Sequence, residues 1–400
     1  MAVAAVLDGM PARAAVDPAT RLLGSYDSGR PGPLLLVTAG LHGNEPAGLR
    51  AVEAVLRQLR SSRPPIAWRV AAFAGNMAAI RENKRYIDRD LNRLWHSDIV
   101  EGLRNGAISP TETAEHAELA ELVDLLFAEA DNATGSVHLL DLHTFSAPGY
   151  PFCCIGDTLQ NRRFARAMPL TTILGLEEQL DGTSMEYLNE RGFTTLIVEG
   201  GQHEDPRAAG VLEATFWYAL VAAGCLRRQD APGLAAHLRH LRDARGGLPY
   251  VLEVRYRHAI RPVDGFAMRP GYTNFQPIKK SEHLADDSGG AVRAPFTGYI
   301  LMPLYQKLGD DGFFATKPVG NAWLALSQFL RRLELWRFLH LLPGVRRDPG
   351  SANSLLVDRG VARWSAGRIF RLFGYRKIRA LDDHTLRVTR RRNDLRWERD

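Results

Sequence analysis

Cysteine is scarce in this 400-residue chain: Cys153, Cys154 and Cys225 are the only three. Two are adjacent and the third is distant, so their spacing spells neither a disulfide framework nor a cysteine zinc cluster. The pattern suits a reducing, cytoplasmic compartment, with Cys153 and Cys154 on a buried strand. No run of eighteen apolar residues occurs, which excludes a membrane-spanning helix. Met1 to Val16 lacks a basic start followed by an apolar stretch, so no export signal is expected there. Neither G-x-G-x-x-G nor G-x-x-x-x-G-K-[ST] is present, which leaves Gly75 without a phosphate-loop context.

What is present is enough apolar sequence for an enzyme. A 45% hydrophobic content over 400 residues suffices for one large core and a second, smaller one. The charge is unevenly distributed. Residues 345–400 hold fifteen Lys or Arg against seven Asp or Glu, a net of +8, so the +6 of the whole chain leaves −2 for residues 1–344. The basic pI belongs to the tail. A solvated basic face is the commoner meaning of such a tail, and no nucleic-acid partner is expected.

Four short segments carry the chemistry. Thr38-Ala39-Gly40-Leu41-His42-Gly43-Asn44-Glu45 follows the apolar run Leu34-Leu35-Leu36-Val37. A strand ending there, with glycines turning the chain, brings an imidazole and a carboxylate to the carboxyl edge of a sheet. His42 and Glu45 form half of a His₂Glu zinc site, the ligand set of metal-dependent amide hydrolases. Asp141-Leu142-His143-Thr144, after another apolar run, supplies the missing histidine, His143. Between them lies Arg85-Tyr86-Ile87-Asp88-Arg89-Asp90-Leu91-Asn92-Arg93. An amidase needs a cation where negative charge develops on the scissile carbonyl, and a planar fork to hold a substrate carboxylate. Arg85 and the Asn92/Arg93 pair suit these roles. Thr194-Thr195-Leu196-Ile197-Val198-Glu199-Gly200-Gly201 delivers one carboxylate to a strand end, where Glu199 suits a general base.

Taken in this order, with LHGNEPAG at 41–48, GNMAAIRENKRYIDRDLNRLW at 75–95, LLDLHT at 139–144 and IVEGGQ at 197–202, the chain resembles the succinylglutamate desuccinylase/aspartoacylase family. That family is a branch of the zinc carboxypeptidase superfamily, and the resemblance covers roughly residues 30 to 320. It implies one Zn²⁺ per chain on His42, Glu45 and His143, Glu199 as base, Arg85 polarising the carbonyl, and Asn92 with Arg93 holding the substrate carboxylate. Aspartoacylase-like members read a second carboxylate with an arginine shortly before the base-bearing strand. Asn189 stands at that register here, with Arg191 two residues on as a substitute.

Strand-like runs at 34–38, 67–73, 137–142, 151–155 and 194–199 alternate with helical stretches at 46–59, 111–130 and 207–226. This alternation predicts a three-layer α/β/α, zinc-carboxypeptidase-like domain over residues 1–230. Pro and Gly residues at 230–248 mark a break, followed by a smaller β domain over 249–320. Residues 321–400 read as an amphipathic helix, Asn321 to Leu342, plus a basic C-terminal extension with a hairpin turning at Asp382-Asp383. The helix is expected to dock its apolar side on the body or on a second subunit, which would make a homo-oligomer. Asp141 reads equally well as the residue orienting His143 and as a buried hydrogen-bonded acid. Asp90 reads as a turn or arginine-pairing carboxylate, and His203 and Glu204 as surface loop. The expected activity is zinc-dependent hydrolysis of the amide of a small N-acyl amino acid or similar carboxylate. The alternatives are a zinc carboxypeptidase or amidase acting on a peptide or peptidoglycan fragment, and a non-catalytic metabolite-binding protein.

Overall fold

The structure, a computed structural model, describes residues 20–67, 69–305, 309–361 and 366–391. The export-signal reading of residues 1–16 and the charges of residues 392–400 lie outside the described residues. The chain runs through β1 (Leu22–Asp27), β2 (Leu34–Ala39), α1 (Pro46–Ser62), β3 (Arg69–Ala74), α2 (Met77–Glu82), α3 (Ser97–Asn105), α4 (Ala114–Asp131) and β4 (Val137–Phe145). It continues with β5 (Phe152–Cys154), α5 (Leu159–Arg166), β6 (Thr171–Leu174), α6 (Ser184–Glu190), β7 (Thr194–Gln202), α7 (Ala208–Ala222) and α8 (Leu234–Arg245). Strands β2, β4 and β7 are parallel neighbours inside one large sheet.

Apolar stretches run through these strands (Leu34 to Val37, Leu139 and Leu140, Leu196 to Val198) because both of their faces are covered. Side-chain alternation sorts them. Leu35, Val37 and Ala39 face a core shared with Val52 and Val55 of α1 and Phe216 and Trp217 of α7. Leu34 and Leu36 face the opposite core, with Leu119, Leu122 and Val123 of α4. Helices on both sides give the expected three layers. The 230–248 stretch does not merely break the pattern. It contains α8, because Gly233 (φ 63°) precedes the helix and Gly246 (φ 61°) follows it, so the glycines flank rather than interrupt.

Beyond α8 come β8 (Val251–Ala259), β9 (Ala267–Met268), β10 (Pro277–Ile278), β11 (His283–Asp287), β12 (Gly290–Arg293), β13 (Gly298–Leu301) and β14 (Asp311–Pro318). β8 pairs with β6 in parallel and with β14 antiparallel, so this β region extends the edge of the large sheet. It has its own cluster of Ile278, Leu284, Ile300 and Phe313.

The last part differs from the sequence reading. Helix α9 (Asn321–Arg332) stops ten residues short of Leu342, because Glu334 takes a left-handed conformation (φ 52°) and a 3₁₀ segment follows. Within the chain its apolar side is only partly covered: Leu324 packs against the main core, while Leu326, Phe329 and Leu333 are 44%, 58% and 53% exposed. The buried residues are Ser327 and Arg331, and Arg331 donates to Asp157 Oδ2 at 2.9 Å. Then β15 (Val345–Asp348), β16 (Ser351–Asp358), α10 (Ala366–Leu372), β17 (Tyr375–Ala380) and β18 (Thr385–Arg390) form a folded unit around Val357, Phe370, Tyr375 and Val388. Its four strands make a separate sheet. The hairpin turns at the expected place, where the Asp382 carboxylate accepts from the His384 and Thr385 amides.

Several of the basic residues of this unit meet acids of the preceding regions rather than solvent. Arg376 donates to Asp157 and Glu253, while Arg162 and Arg331 also converge on Asp157. Burial would raise the Asp157 carboxyl, but the three guanidiniums outweigh it and hold the group well below the usual carboxylate range. Buried pairs of this kind are costly to break from one side.

One buried histidine makes the fold sensitive to acid. His138, on β4 against the Phe164 ring, is pushed down to about 4 by burial. Its charged form is disfavoured in the fold, so stability is full above the unfolded value of about 6.5 and falls as pH drops toward 4. His138→Leu should abolish about 3 kcal/mol of that acid-induced loss. Denaturant midpoints of both proteins at neutral pH and near pH 4 check this; parallel curves for the two proteins would refute it.

Candidate active site

His42 and Glu45 sit in the turn after β2, and His143 lies near the end of β4. Gly40 takes a left-handed conformation (φ 74°). Gly43 packs so tightly on α2 that a Cβ would lie 2.0 Å from the Ala79 carbonyl carbon. His42 Nδ1 lies 2.7 Å from Glu45 Oε1, and His143 Nδ1 lies 3.2 Å from Glu45 Oε2. The ligand atoms of the three residues fall within 4.8 Å of one another, and all three residues are buried. The far side of each imidazole is also held by a carboxylate. Asp141 Oδ2 lies 3.0 Å from His143 Nε2, and Asp90 Oδ1 lies 3.2 Å from His42 Nε2. Carboxylates on the outer nitrogens, with the inner nitrogens aimed at one point, are the arrangement a metal site needs. Asp141 thus orients His143, and it is also fully hydrogen-bonded, through Thr38 Oγ1 at 2.7 Å and Ser184 Oγ at 3.3 Å.

The electrostatics fit a cation. Burial would raise the Glu45 carboxyl, but the two imidazoles outweigh it and keep it well below its ordinary range. His143 is pulled the other way. Burial disfavours its charge, yet Asp141 and Glu45 hold its affinity for a proton well above normal. Three acids and two imidazoles therefore compete for positive charge at one buried point.

Glu199 lies directly across from His143 in the β4–β7 register. Alternation places it on the same sheet face as Asp141 and His143, opposite Leu196 and Val198. Burial, with Glu45 adding to it, pushes Glu199 up to about 8. Among the described residues its Oε2 finds no hydrogen-bond partner. Arg85 donates to Asp90 Oδ2 through Nε (3.2 Å) and Nη2 (2.8 Å), and its Nη1 stands 3.9 Å from Glu45. Asp90 is both the arginine-pairing acid expected and a second anchor for His42. Asn92 accepts from the Ser184 amide at 3.0 Å, and Arg93 Nη1 donates to the Asn92 carbonyl at 2.9 Å. His42, Glu45, Arg85, Asn92, Arg93, His143 and Glu199 all line one cavity of about 150 Å³. His203, read as surface loop, is in its wall too, with Nδ1 2.8 Å from Thr144 Oγ1.

Residues 31–213 match the profile of the succinylglutamate desuccinylase/aspartoacylase catalytic domain. Over this segment, which is under half of its length, the chain is similar to that family. A succinylglutamate desuccinylase of Pseudomonas aeruginosa is 37% identical over 111 residues, 28% of this chain and 30% of that protein. Its counterpart in Burkholderia pseudomallei is 32% identical over 111 residues, again 28% and 30%. The chain thus spans under a third of the length of these curated relatives. Among solved structures, the fold is similar to that of the Chromobacterium violaceum succinylglutamate desuccinylase (TM-score 0.52, 18% identity, 73% of this chain and 86% of that one). It is also similar to a succinylglutamate desuccinylase/aspartoacylase from Rhodobacter sphaeroides (0.54, 19%, 73% and 87%) and to the product-bound ectoine utilization protein EutE of Ruegeria pomeroyi (0.52, 16%, 74% and 87%).

Two features of the site were not read from the sequence. Neither candidate for a second carboxylate reader lines the cavity. Asn189 is buried, accepting from Asn161 Nδ2 at 2.9 Å. Arg191 stacks on the Tyr187 ring and pairs with Glu101 at 3.2 Å. The other is Glu115, fully buried in the first turn of α4. It accepts from the Ile87, Asp88 and Arg89 amides at 2.7–3.0 Å and from Asn76 Nδ2 at 3.0 Å. It therefore shapes the loop that carries Arg85 and Asp90. The only sequence signal was an acid placed where an apolar helix face begins. Glu115→Ala should lower turnover about ten- to a hundredfold although it touches no cavity atom, as supporting contacts of such sites do. Steady-state kinetics on folded protein test this, and unchanged kcat would refute it.

Proposed function

We propose that this protein is a zinc-dependent hydrolase that cleaves the amide of a small N-acyl amino acid or similar N-acyl carboxylate. The observation that carries the reading is the pair of imidazoles, each held on its outer nitrogen by a carboxylate, aimed with Glu45 at a point beside Glu199 and Arg85. His42, Glu45 and His143 would hold the ion, and the donor set of two nitrogens and a carboxylate suits zinc. When bound, the zinc would supply Lewis-acid polarisation of water and of the scissile carbonyl.

The residues of the chain do the rest. Glu199, with an unpartnered carboxylate oxygen and a proton affinity near neutrality, takes a proton from the attacking water and returns it to the leaving amine. Arg85, locked by Asp90, presents a fixed positive charge to the oxygen on which negative charge develops. Arg93, supported by Asn92, grips the substrate carboxylate with a planar fork. The small cavity favours a small molecule over a peptide or peptidoglycan fragment. An oriented base beside an oxyanion cation adds nothing to a pure metabolite binder.

Purified protein should take up about one zinc per chain, lost in His42→Ala and kept in His203→Ala. Glu199→Gln should keep the metal and lower turnover by about two to four orders of magnitude. Metal analysis together with a deacylation screen over N-acyl amino acids makes the test. Absence of tight zinc binding, or a Glu199→Gln variant retaining a tenth of the rate, would remove the proposal.

A further inference from the structure

The charges around the cavity discriminate among N-acyl substrates, an inference that rests on the deacylase reading. Among the described residues, two guanidiniums line the cavity. Arg85 is committed to Asp90 through two hydrogen bonds. Arg93 stands 3.9 Å from Asp311, whose closer partner is Arg257. That leaves Arg93 as the cation in position to take an incoming carboxylate. The remaining charged groups beyond the metal-ligand cluster and Glu199 are acids, Glu177, Asp310 and Asp311. The other wall is apolar, formed by Leu176, Leu180, Met185, Ile197, Met302 and Phe314. These residues belong to or pack against one hydrophobic cluster, so the wall is a continuation of the core.

We infer that the substrate carries a single carboxylate, and that the rest of its amino-acid part is uncharged and aliphatic. A second carboxylate on that wall would be desolvated against apolar side chains, and the described residues that line the cavity offer no further cation to pair it. Zinc-loaded full-length protein should hydrolyse N-acetyl-leucine or N-acetyl-methionine with kcat/KM at least about a hundredfold above N-acetyl-aspartate and N-succinyl-glutamate. Leu180→Arg should narrow that ratio by about tenfold or more, by placing a cation on the wall. Equal or higher kcat/KM for the dicarboxylates, or an unchanged ratio in Leu180→Arg, would overturn the inference. Calorimetric binding of free leucine and aspartate separates it from the reading beneath it. If neither N-acyl class is cleaved but leucine binds preferentially, the deacylase reading fails and the pocket chemistry stands. If aspartate binds as well as leucine, the pocket chemistry fails.

A separate observation concerns the C-terminal unit. The segment 177–186, which carries Leu180 and Met185 of that wall, contains four acids: Glu177, Glu178, Asp181 and Glu186. Each is met by a base from β17 or the end of β18. Arg391 pairs with Glu177, and Arg376 lies 3.4 Å from Glu178. Arg379 pairs with Asp181 at 3.1 Å, and Lys377 pairs with Glu186. We propose that this hairpin is a positioning element that fixes the apolar wall against the cavity. Arg376 is too deeply buried to be a clean probe, so Lys377→Glu/Arg379→Glu is the informative variant. It should raise KM for an N-acyl aliphatic amino acid about tenfold while leaving kcat within about threefold. Glu186→Lys added to it should restore part of the affinity. Hydrogen exchange over 176–186 should quicken in the variant whether or not a substrate is known. Unchanged KM and unchanged exchange, or an equal fall in kcat without rescue, would overturn the proposal.

Discussion

The parallel register of β2, β4 and β7 is the constraint on which the rest of the site depends. Thr38 pairs with Asp141, Asp141 with Ile197, and His143 with Glu199. Because alternate residues of a strand face opposite sides, Asp141, His143 and Glu199 share one face, while Leu140, Leu142, Leu196 and Val198 fill the core on the other. A slip of one residue in either strand would exchange a buried carboxylate with a leucine or valine. The hydrophobic core therefore fixes the positions of the charged groups. The site lies where parallel α/β sheets place their ligands, outside the carboxyl ends of the strands.

Holding so many ionisable groups in a dry setting requires that each be compensated. Asp141 answers to His143, Thr38 and Ser184; Asp90 answers to Arg85 and His42; Glu115 is satisfied by three amides and Asn76. Glu199 is different. It shares the burial but lacks a partner for Oε2, and its proton affinity rises as a result. A carboxylate left uncompensated among compensated ones is poised to exchange a proton near neutral pH. The same environment thus separates the roles of chemically identical side chains.

Much of this was legible in the sequence, for identifiable reasons. The central strands contain apolar runs, and glycines directly follow His42 and Glu199 in the sequence, so the metal-ligating candidates and Glu199 could be placed without knowing the fold. What was not legible depended on contacts between distant segments. The 230–248 stretch looked like a linker because its glycines and prolines were read as interruptions, when they bound a helix. His203 looked like surface because nothing local reveals that the turn after β7 folds back over Thr144. Glu115 was not singled out, because its partners are backbone amides nearly thirty residues earlier. The apolar stripe of α9 pointed toward docking, yet the buried ion pair of Arg331 with Asp157 set the orientation of the helix and left Phe329 and Leu333 outward.

The charge balance had a similar fate. A tail with a net charge of +8 reads in isolation as a solvated surface, and a body of −2 as unremarkable. In three dimensions several of the tail's basic groups pair with acids of the body. Asp157, Glu178 and Glu253, three acids on separate elements, converge on Arg376 alone. Matched charges of this kind fix how two surfaces meet more than they add stability. They also bear on where function resides along the chain. The family profile ends at residue 213, yet Met302, Leu304, Asp311 and Phe314 close the cavity, and the segment opposite them is gripped by the terminal hairpin. The residues suited to chemistry sit on the shared parallel core, and those that shape the cavity come partly from regions beyond it. Such a division lets the pocket wall change while the register of β2, β4 and β7 keeps the ionisable groups in place.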